Sequence, residues 1–327
     1  MRLTFFGAIS ACLVLAALGL HLGVRANAPW QVWAALTQGG EDTASLIIRD
    51  LRVPRMALAI VIGAALGLAG LLMQSVTRNP IAEPGLLGVN AGAAFAVVLL
   101  ITLTPGASFA AMAATAALGA VLAAALVFGL AYSAGGGLSP IQLLLAGVTV
   151  AALLIAGMQV LIILNETVLE ELLFWLSGSF ADRPLTGLWI AVAGLGVGVM
   201  LASACSGALD VLQTDDATAV SLGVPVVRLR FGLLAVAALL AGLSVAMAGP
   251  VAFLGLVAPH LARLAGAQSH RELIPLSLVF GVFLGLAGDL MARFILYPTD
   301  APISAVMALV GVPLLIALLR RNRLCLV

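Results

Sequence analysis

Long apolar stretches separated by short polar ones set the pattern of this chain. Runs of about 20 apolar residues are what an α-helix needs to cross a bilayer core. They predict ten membrane segments: 4–24, 55–76, 86–104, 108–131, 140–164, 186–206, 231–248, a short one near 250–259, 272–296 and 302–319. The ~10-residue alternating segments of a membrane β-barrel are absent, so the expected fold is an all-α polytopic membrane protein with one transmembrane domain over 1–327. One polar island stands out, Asp210 to Arg230, reading DVLQTDDATAVSLGVPVVRLR. Thr214 or Asp215 can cap a short helix there; Ala217, Val220 and Leu222 give it a small apolar face, and Gly223 followed by Pro225 stops it. An element this short spans nothing. Its pattern suits either an ordered loop with a turn of helix or a cytosolic knob that fits into a partner.

Composition removes the soluble alternatives. The chain is 63% hydrophobic and 9% charged, against roughly 25% charged in a soluble domain, and its mean hydropathy is +1.22. All 15 basic residues are Arg. Without Lys there is no GxxxxGKS/T phosphate loop and no Schiff-base lysine, so any ATP that drives this protein is bound by another chain. Cys12, Cys205 and Cys325 have no ligand spacing, and neither a disulfide framework nor a metal site is expected. With Arg2 inside, the inner side carries nine arginines, Arg78, Arg228, Arg230, Arg263 and Arg271 among them, and the outer side six: Arg25, Arg49, Arg52, Arg55, Arg183 and Arg293. That distribution follows the positive-inside bias and leaves both termini in the cytosol.

The outer arginines need a role. Arg52 and Arg55 stand three apart at the entrance of the second segment, and Asp289 and Arg293 in GDLMARFILYPTD are spaced for an intrahelical ion pair. Snorkelling to lipid headgroups is one reading. The other joins Arg52, Arg55 and Arg293 into an outward basic patch suited to an acidic protein partner. The outer loop NETVLEELLFWLSGSFADRPL, with Glu166, Glu170, Glu171 and Trp175, reads as an interfacial amphipathic helix. On the inner side, MQSVTRNPIAEPGLLGVNAG holds Asn79, Glu83 and two prolines in a rigid irregular hairpin, and AGGGLSPIQ is an uncharged turn. In AGPVAFLGLVAPHLARLAG, Gly249-Pro250 and Pro259 bracket a segment too short to cross fully, the half-length helix that transporters use. His260 beside Pro259 reads as an ordered hydrogen-bonding residue, with a proton relay as the alternative.

Together these strings resemble the FecCD-type permeases, the membrane subunits of type II ABC importers for ferric siderophores, haem and vitamin B12. The resemblance rests on RVPR at 52–55, Gln74 with RNPIAEPGLLGVNAG at 78–92, LLLAGV at 143–148, FWLSGS at 174–179, the 215–223 island with Ala219 and LGV, AGPVAFLGLVAPHLAR at 248–263, GDLMAR at 288–293, DAP at 300–302 and GVP at 311–313. They occur in family order from the second segment onward. Departures are few: Ile81 for Leu, Thr214 and Asp215 for Gly-Asp, Asp300 for Glu, Ser304 for Gly and Leu315 near a usual Phe.

The resemblance implies a vitamin-B12-importer-like fold and assigns roles by matched position. Asp215, Asp216, Ala219, Leu222 and Gly223, in coupling helices at about 210–228, would sit in a groove of an ATPase subunit. Arg52, Arg55 and Arg293 would receive acidic residues of a periplasmic or lipid-anchored binding protein. Asn79 and Ile81 would form one cytosolic gate, and Ser139 and Ile141 a second. The implied partners are two ABC ATPases, the binding protein, a second permease chain (a copy or a paralogue) and membrane lipid, with no nucleic acid. This chain would carry no cofactor, ATP-Mg would reside in the ATPase, and the location would be a bacterial inner membrane. The expected cargo is an iron chelate of the ferric-citrate or siderophore branch, with vitamin B12 or haem as alternatives. The competing class is a proton-coupled secondary transporter using Asp289; an intramembrane enzyme lacks HExxH, GxSxG and a facing acid pair.

Overall fold

The computed structural model describes residues 2–23, 26–133, 139–164, 169–170, 172–173, 178–181, 185–297 and 299–324. Every regular element among them is helical: α1 (Arg2–His21), α2 (Pro29–Thr37), α3 (Thr43–Thr77), α4 (Val89–Leu103), α5 (Phe109–Ser133), α6 (Pro140–Leu164), α7 (Leu188–Ala204), α8 (Ser206–Leu212), α9 (Asp216–Ser221), α10 (Val226–Ala248), α11 (Leu254–Leu264), α12 (His270–Ile295) and α13 (Ile303–Leu324). Six of these are long and apolar enough to cross a membrane. The pair α7 and α8 makes a seventh span bent by 60°, and α4, α11 and α13 carry shorter apolar stretches, so the expected set of segments is present.

The bundle is built around α3. Asp42 caps its start by accepting from the Ser45 backbone at 3.2 Å and the Ser45 hydroxyl at 2.5 Å, and a wide π turn over Ile47–Arg52 leads into the regular helix. From Leu58 nearly every side chain is buried, whichever way it points, which is the signature of a helix enclosed on all sides. It ends at Arg78, whose left-handed backbone (φ 49°) breaks the helical path.

Glycine sets how closely the neighbours approach. A Cβ on Gly63 or Gly67 would overlap the Gly281 or Ser277 carbonyl of α12, one on Gly285 would lie 2.5 Å from the Ala59 oxygen, and one on Gly70 would overlap the Gly255 carbonyl of α11. In lipid, where apolar side chains gain nothing by leaving one apolar medium for another, such backbone contact is what holds helices together.

Several details differ from the sequence expectation. Pro259 lies inside α11 and does not end it, because α11 starts only at Leu254 and the proline falls in its second turn. The helix after the polar island begins at Val226, inside the island, since Val226, Leu233 and Leu234 already pack inward. The helix α2 was not anticipated; it buries Val32 and Ala35 and leaves Trp30 and Trp33 exposed. Of the expected outer amphipathic helix, Glu166, Glu171 and Trp175 lie outside the described residues.

Gly70→Ala forces a methyl against backbone that cannot move aside, and overpacking of this kind costs ~1–3 kcal/mol or more. The detergent-solubilised variant should therefore unfold at a clearly lower temperature. Gly196→Ala, where a Cβ would meet nothing within 4 Å, should leave the thermal midpoint unchanged or raise it.

Candidate functional site

The two ends of α3 hold two charge clusters, one at each surface. At the end where α3 stops, Asp216 opens α9 and is shared by two arginines. Arg230 of α10 donates to it from Nη1 at 2.9 Å and Nη2 at 2.8 Å, and Arg78 pairs with it from the other side. Arg78 also donates from Nε to the Leu212 carbonyl at 2.6 Å, a carbonyl left over at the end of α8. Asp215 is the N-cap, accepting from the Thr218 backbone at 2.8 Å and its hydroxyl at 2.6 Å, as its position before the helix requires. Gly223, at φ +83°, reverses the chain after α9 in the left-handed conformation that glycine adopts without strain.

Ala219 is buried beneath this helix, whereas Val220 and Leu222 are 62% and 65% exposed. The apolar face expected from Ala217, Val220 and Leu222 therefore points away from the protein, and it is Ala219 that packs inward.

A second tie runs parallel to the first. The His270 ring bridges Asp210 at 2.6 Å and the Ser75 hydroxyl at 2.7 Å. A carboxylate only accepts, so Nδ1 donates to Asp210 and Nε2 accepts from Ser75. The order Ser, His, Asp is that of a hydrolase triad, but Ser75 is 1% exposed and offers no nucleophile to a substrate. Its work is to fasten α8 to α3 and α12.

The turn at Asn79 lies beside the first turns of α6. The Asn79 side chain accepts from the Ile81 backbone at 3.1 Å, and Ser139 and Gln142 form reciprocal side-chain to backbone bonds at 3.3 Å. Asn79 and Leu143 line one cavity of about 30 Å³, while Ile81 and Ile141 are exposed. Beside them Glu83 reaches into the bundle and accepts a backbone hydrogen bond from Phe253, whose φ of 63° is unusual for a bulky residue. Burial raises the Glu83 pKa above the ordinary value, with the Phe253 bond opposing it. His260 Nδ1 donates to the Leu256 carbonyl at 3.3 Å, and Arg263 donates to the Gln74 side-chain oxygen at 2.6 Å, which ties α11 to α3.

At the opposite surface the expected outward patch is not formed. Arg52 and Arg293 are only 6% and 8% exposed, and all three guanidinium groups turn inward. Arg55 bonds Asp289 and Asp300, each at 2.5 Å; Arg293 bonds Asp289 at 2.5 Å and the Gly19 carbonyl at 2.7 Å; Arg52 bonds the Leu20 carbonyl at 2.6 Å. For Arg52 and Arg293 the physical reason is the end of α1, whose last carbonyls lack amide partners and carry partial negative charge; for Arg55 it is the two carboxylates. The intrahelical Asp289–Arg293 pair is as expected, but Asp289 serves Arg55 as well. This sharing, like that of Asp216, joins residues far apart in sequence and leaves no spacing signal; Arg78, Arg230, Asp210 and His270 were missed for that reason.

A bundle of spanning helices with a half-length helix at its centre and a short polar helix held at one surface defines a multi-pass membrane transport protein. The FecCD transport family model matches residues 11–321. The chain is 38% identical to the ferric enterobactin transport system permease protein FepD of Escherichia coli, over 97% of this chain and 94% of that one. It is 35% identical to the probable siderophore transport system permease protein YfiZ of Bacillus subtilis, over 89% of this chain and 88% of that one. A solved ABC transporter of the metal-chelate type, in an inward-facing conformation, superposes with a TM-score of 0.86 at 28% identity, covering 98% of this chain and all of that one. The chain belongs to the FecCD transport family.

Two outcomes follow from this geometry. Asp289→Ala leaves Arg55 and Arg293 without their shared partner and should cost ~3–5 kcal/mol, read as a large fall in thermal midpoint; Asp300→Ala, removing a carboxylate at the surface, should cost under ~1 kcal/mol. Glu83 carries the opposite sign from a paired acid. Its neutral form is favoured in the fold, so stability is highest below the ordinary carboxylate pKa and declines as pH rises through the raised one. Glu83→Gln keeps the acceptor and abolishes the ionisation. It should raise the thermal midpoint at about pH 8 more than at about pH 5, and equal shifts at both would contradict the assignment.

Proposed function

We propose that this chain is the transmembrane permease subunit of an ABC importer carrying a ferric siderophore or related iron chelate from periplasm to cytoplasm. The observation that carries the proposal is the short helix α9: fixed by Asp216 to α3 and α10, it offers Val220 and Leu222 to the outside. An exposed apolar crest on a rigid mount suits a groove in an ATPase subunit. Asp215, Ala219 and Gly223 would shape that mount by capping, packing and ending the helix. Two ATPases closing on ATP-Mg would move α9, and through Arg78 and Arg230 the motion would reach α3 and α10, so that the nucleotide state biases the direction in which the passage opens. This chain would make and break no bonds and hold no cofactor. The iron-chelate cargo is supported by the relatives' substrates.

A second permease chain, identical or paralogous, would complete the passage. The long helix α6 supports this, because its apolar side chains, among them Ile141, Leu145 and Val148, are left largely uncovered. Asn79, Ile81, Ser139 and Ile141 would then border the cytosolic mouth. Both termini would lie in the cytosol of a cell with this chain in its inner membrane. A binding protein, periplasmic or lipid-anchored, would dock on the opposite surface. Since Arg55 already holds Asp300, an incoming carboxylate would have to take the place of Asp300, and Arg52 and Arg293 would support the site from beneath.

The test is uptake of radiolabelled iron, given as ferric citrate and as hydroxamate or catecholate chelates, in cells with and without this chain, with haem and cobalamin alongside. Loss of one iron-chelate signal is expected, dependent on ATP and insensitive to dissipation of the proton gradient. Leu222→Asp should abolish that uptake and the copurification of the ATPase while the permease stays monodisperse, since the Leu222 side chain is largely exposed. Uptake that persists without ATP and collapses with the gradient would overturn the proposal in favour of a proton-coupled carrier.

A further inference from the structure

A large apolar groove of about 800 Å³ runs between α5 and α10, on a side of the bundle with no part in the clusters above. Phe128 and Phe231 form its floor, their ring centroids 5.6 Å apart. Gly129 and Gly232 line it, and a Cβ on either would meet nothing within 4 Å. These glycines are not needed for helix contact, and their bare backbone deepens the groove. The lining spans residues 121–132 on α5 and 227–239 on α10, which at ~1.5 Å per helical residue is a length of about 16–18 Å. That is about one leaflet's share of a ~30 Å hydrocarbon core.

Its chemistry is one-sided. Tyr132 and Arg228 line it where α5 ends and α10 begins, the same surface that carries α9. No carboxylate lines the groove, and among the described residues Arg228 has no ion pair, whereas Arg230, two residues on, is held by Asp216. A second copy of this chain could not readily supply the missing charge from this surface. Asp210 is engaged by His270, Asp216 by two arginines, Asp215 by its own helix, and Glu272 by the Gln268 backbone.

We propose that this groove is a binding site for one anionic phospholipid of the leaflet facing α9, its acyl chain lying over Phe128 and Phe231 and its phosphate meeting Arg228 and the Tyr132 hydroxyl. A cation at headgroup depth above an apolar channel is the arrangement that selects anionic over zwitterionic lipid. The site borders α10, which follows α9 after a link of four residues. A lipid seated there therefore presses on the helix that moves with α9.

The experiment quantifies phosphatidylglycerol and phosphatidylcholine bound per chain by native mass spectrometry, after incubation of the purified protein with mixed vesicles and re-extraction in detergent. Wild type and Arg271→Gln, an arginine of the same surface outside the groove, should each retain about one phosphatidylglycerol. Arg228→Gln should lower that retention about fivefold, and Gly232→Leu, which puts a side chain into the groove where a Cβ meets nothing within 4 Å, should remove it. Equal retention of both lipids by wild type would overturn the proposal, as would unchanged phosphatidylglycerol in Arg228→Gln. Efficient disulfide formation between two Gly129→Cys chains in native membranes would also overturn it, because the groove would then belong to a second copy. All readouts are independent of transport, so the site stands or falls separately from the iron-chelate cargo.

Discussion

Backbone-to-backbone contact between α3 and its neighbours is the constraint on which the rest of this structure depends. Gly63, Gly67 and Gly70 let α12 and α11 approach until carbonyl oxygens touch helix backbone. Lipid offers no hydrophobic gain for burying one more leucine, so stability comes from close packing and from polar groups satisfied inside the bundle. Both requirements converge on α3. A buried helix without side-chain bulk on one face can be approached closely, and one with arginines at its ends can be fastened at both surfaces.

The fastening uses one device twice. Asp289 is shared by Arg55 and Arg293, and Asp216 by Arg78 and Arg230. In each case one arginine belongs to α3 or its cap and the other to a helix beside the carboxylate in sequence. Removing a carboxylate from such a trio takes the shared partner from two cations at once, whereas in a simple pair it takes it from one. The environments differ nonetheless. Asp289 is buried, so its trio is part of the fold; Asp216 is half-exposed, and Arg230 and Arg78 hold its pKa below the ordinary value against the effect of partial burial. Ionised well below neutral pH, the Asp216 trio is a persistent link that ties α9 to α3 and α10.

The sequence carried the spans, the cap at Asp215, the stop at Gly223 and the half-length helix, because each follows from a local rule of periodicity, capping or chain reversal. Apart from the i, i+4 pair of Asp289 and Arg293, the partners of its charges were illegible. Arg52, Arg55 and Arg293 read as an outward patch because position along a span reports depth in the membrane and says nothing of azimuth. Once α1 ends beside them, its unpaired carbonyls draw Arg52 and Arg293 inward, and Asp289 and Asp300 do the same for Arg55. The helix α2 escaped notice because nine residues, PWQVWAALT, make no transmembrane signal. Val220 and Leu222 were recognised as an apolar face, but periodicity alone does not say whether such a face looks into its own chain or out of it.

This accounting of polar groups bears on where specificity can reside. The described arginines and carboxylates near the two surfaces are largely engaged with one another or with helix ends, and the spans are almost free of charge. A passage lined by such helices has few fixed groups with which to grip a polar solute, and weak grip is what release on the far side requires. Recognition strong enough to select one solute would have to be made before it enters. What this chain contributes is geometry: a stiff central helix, a polar clamp at each end, and apolar surfaces left uncovered where other molecules complete the assembly.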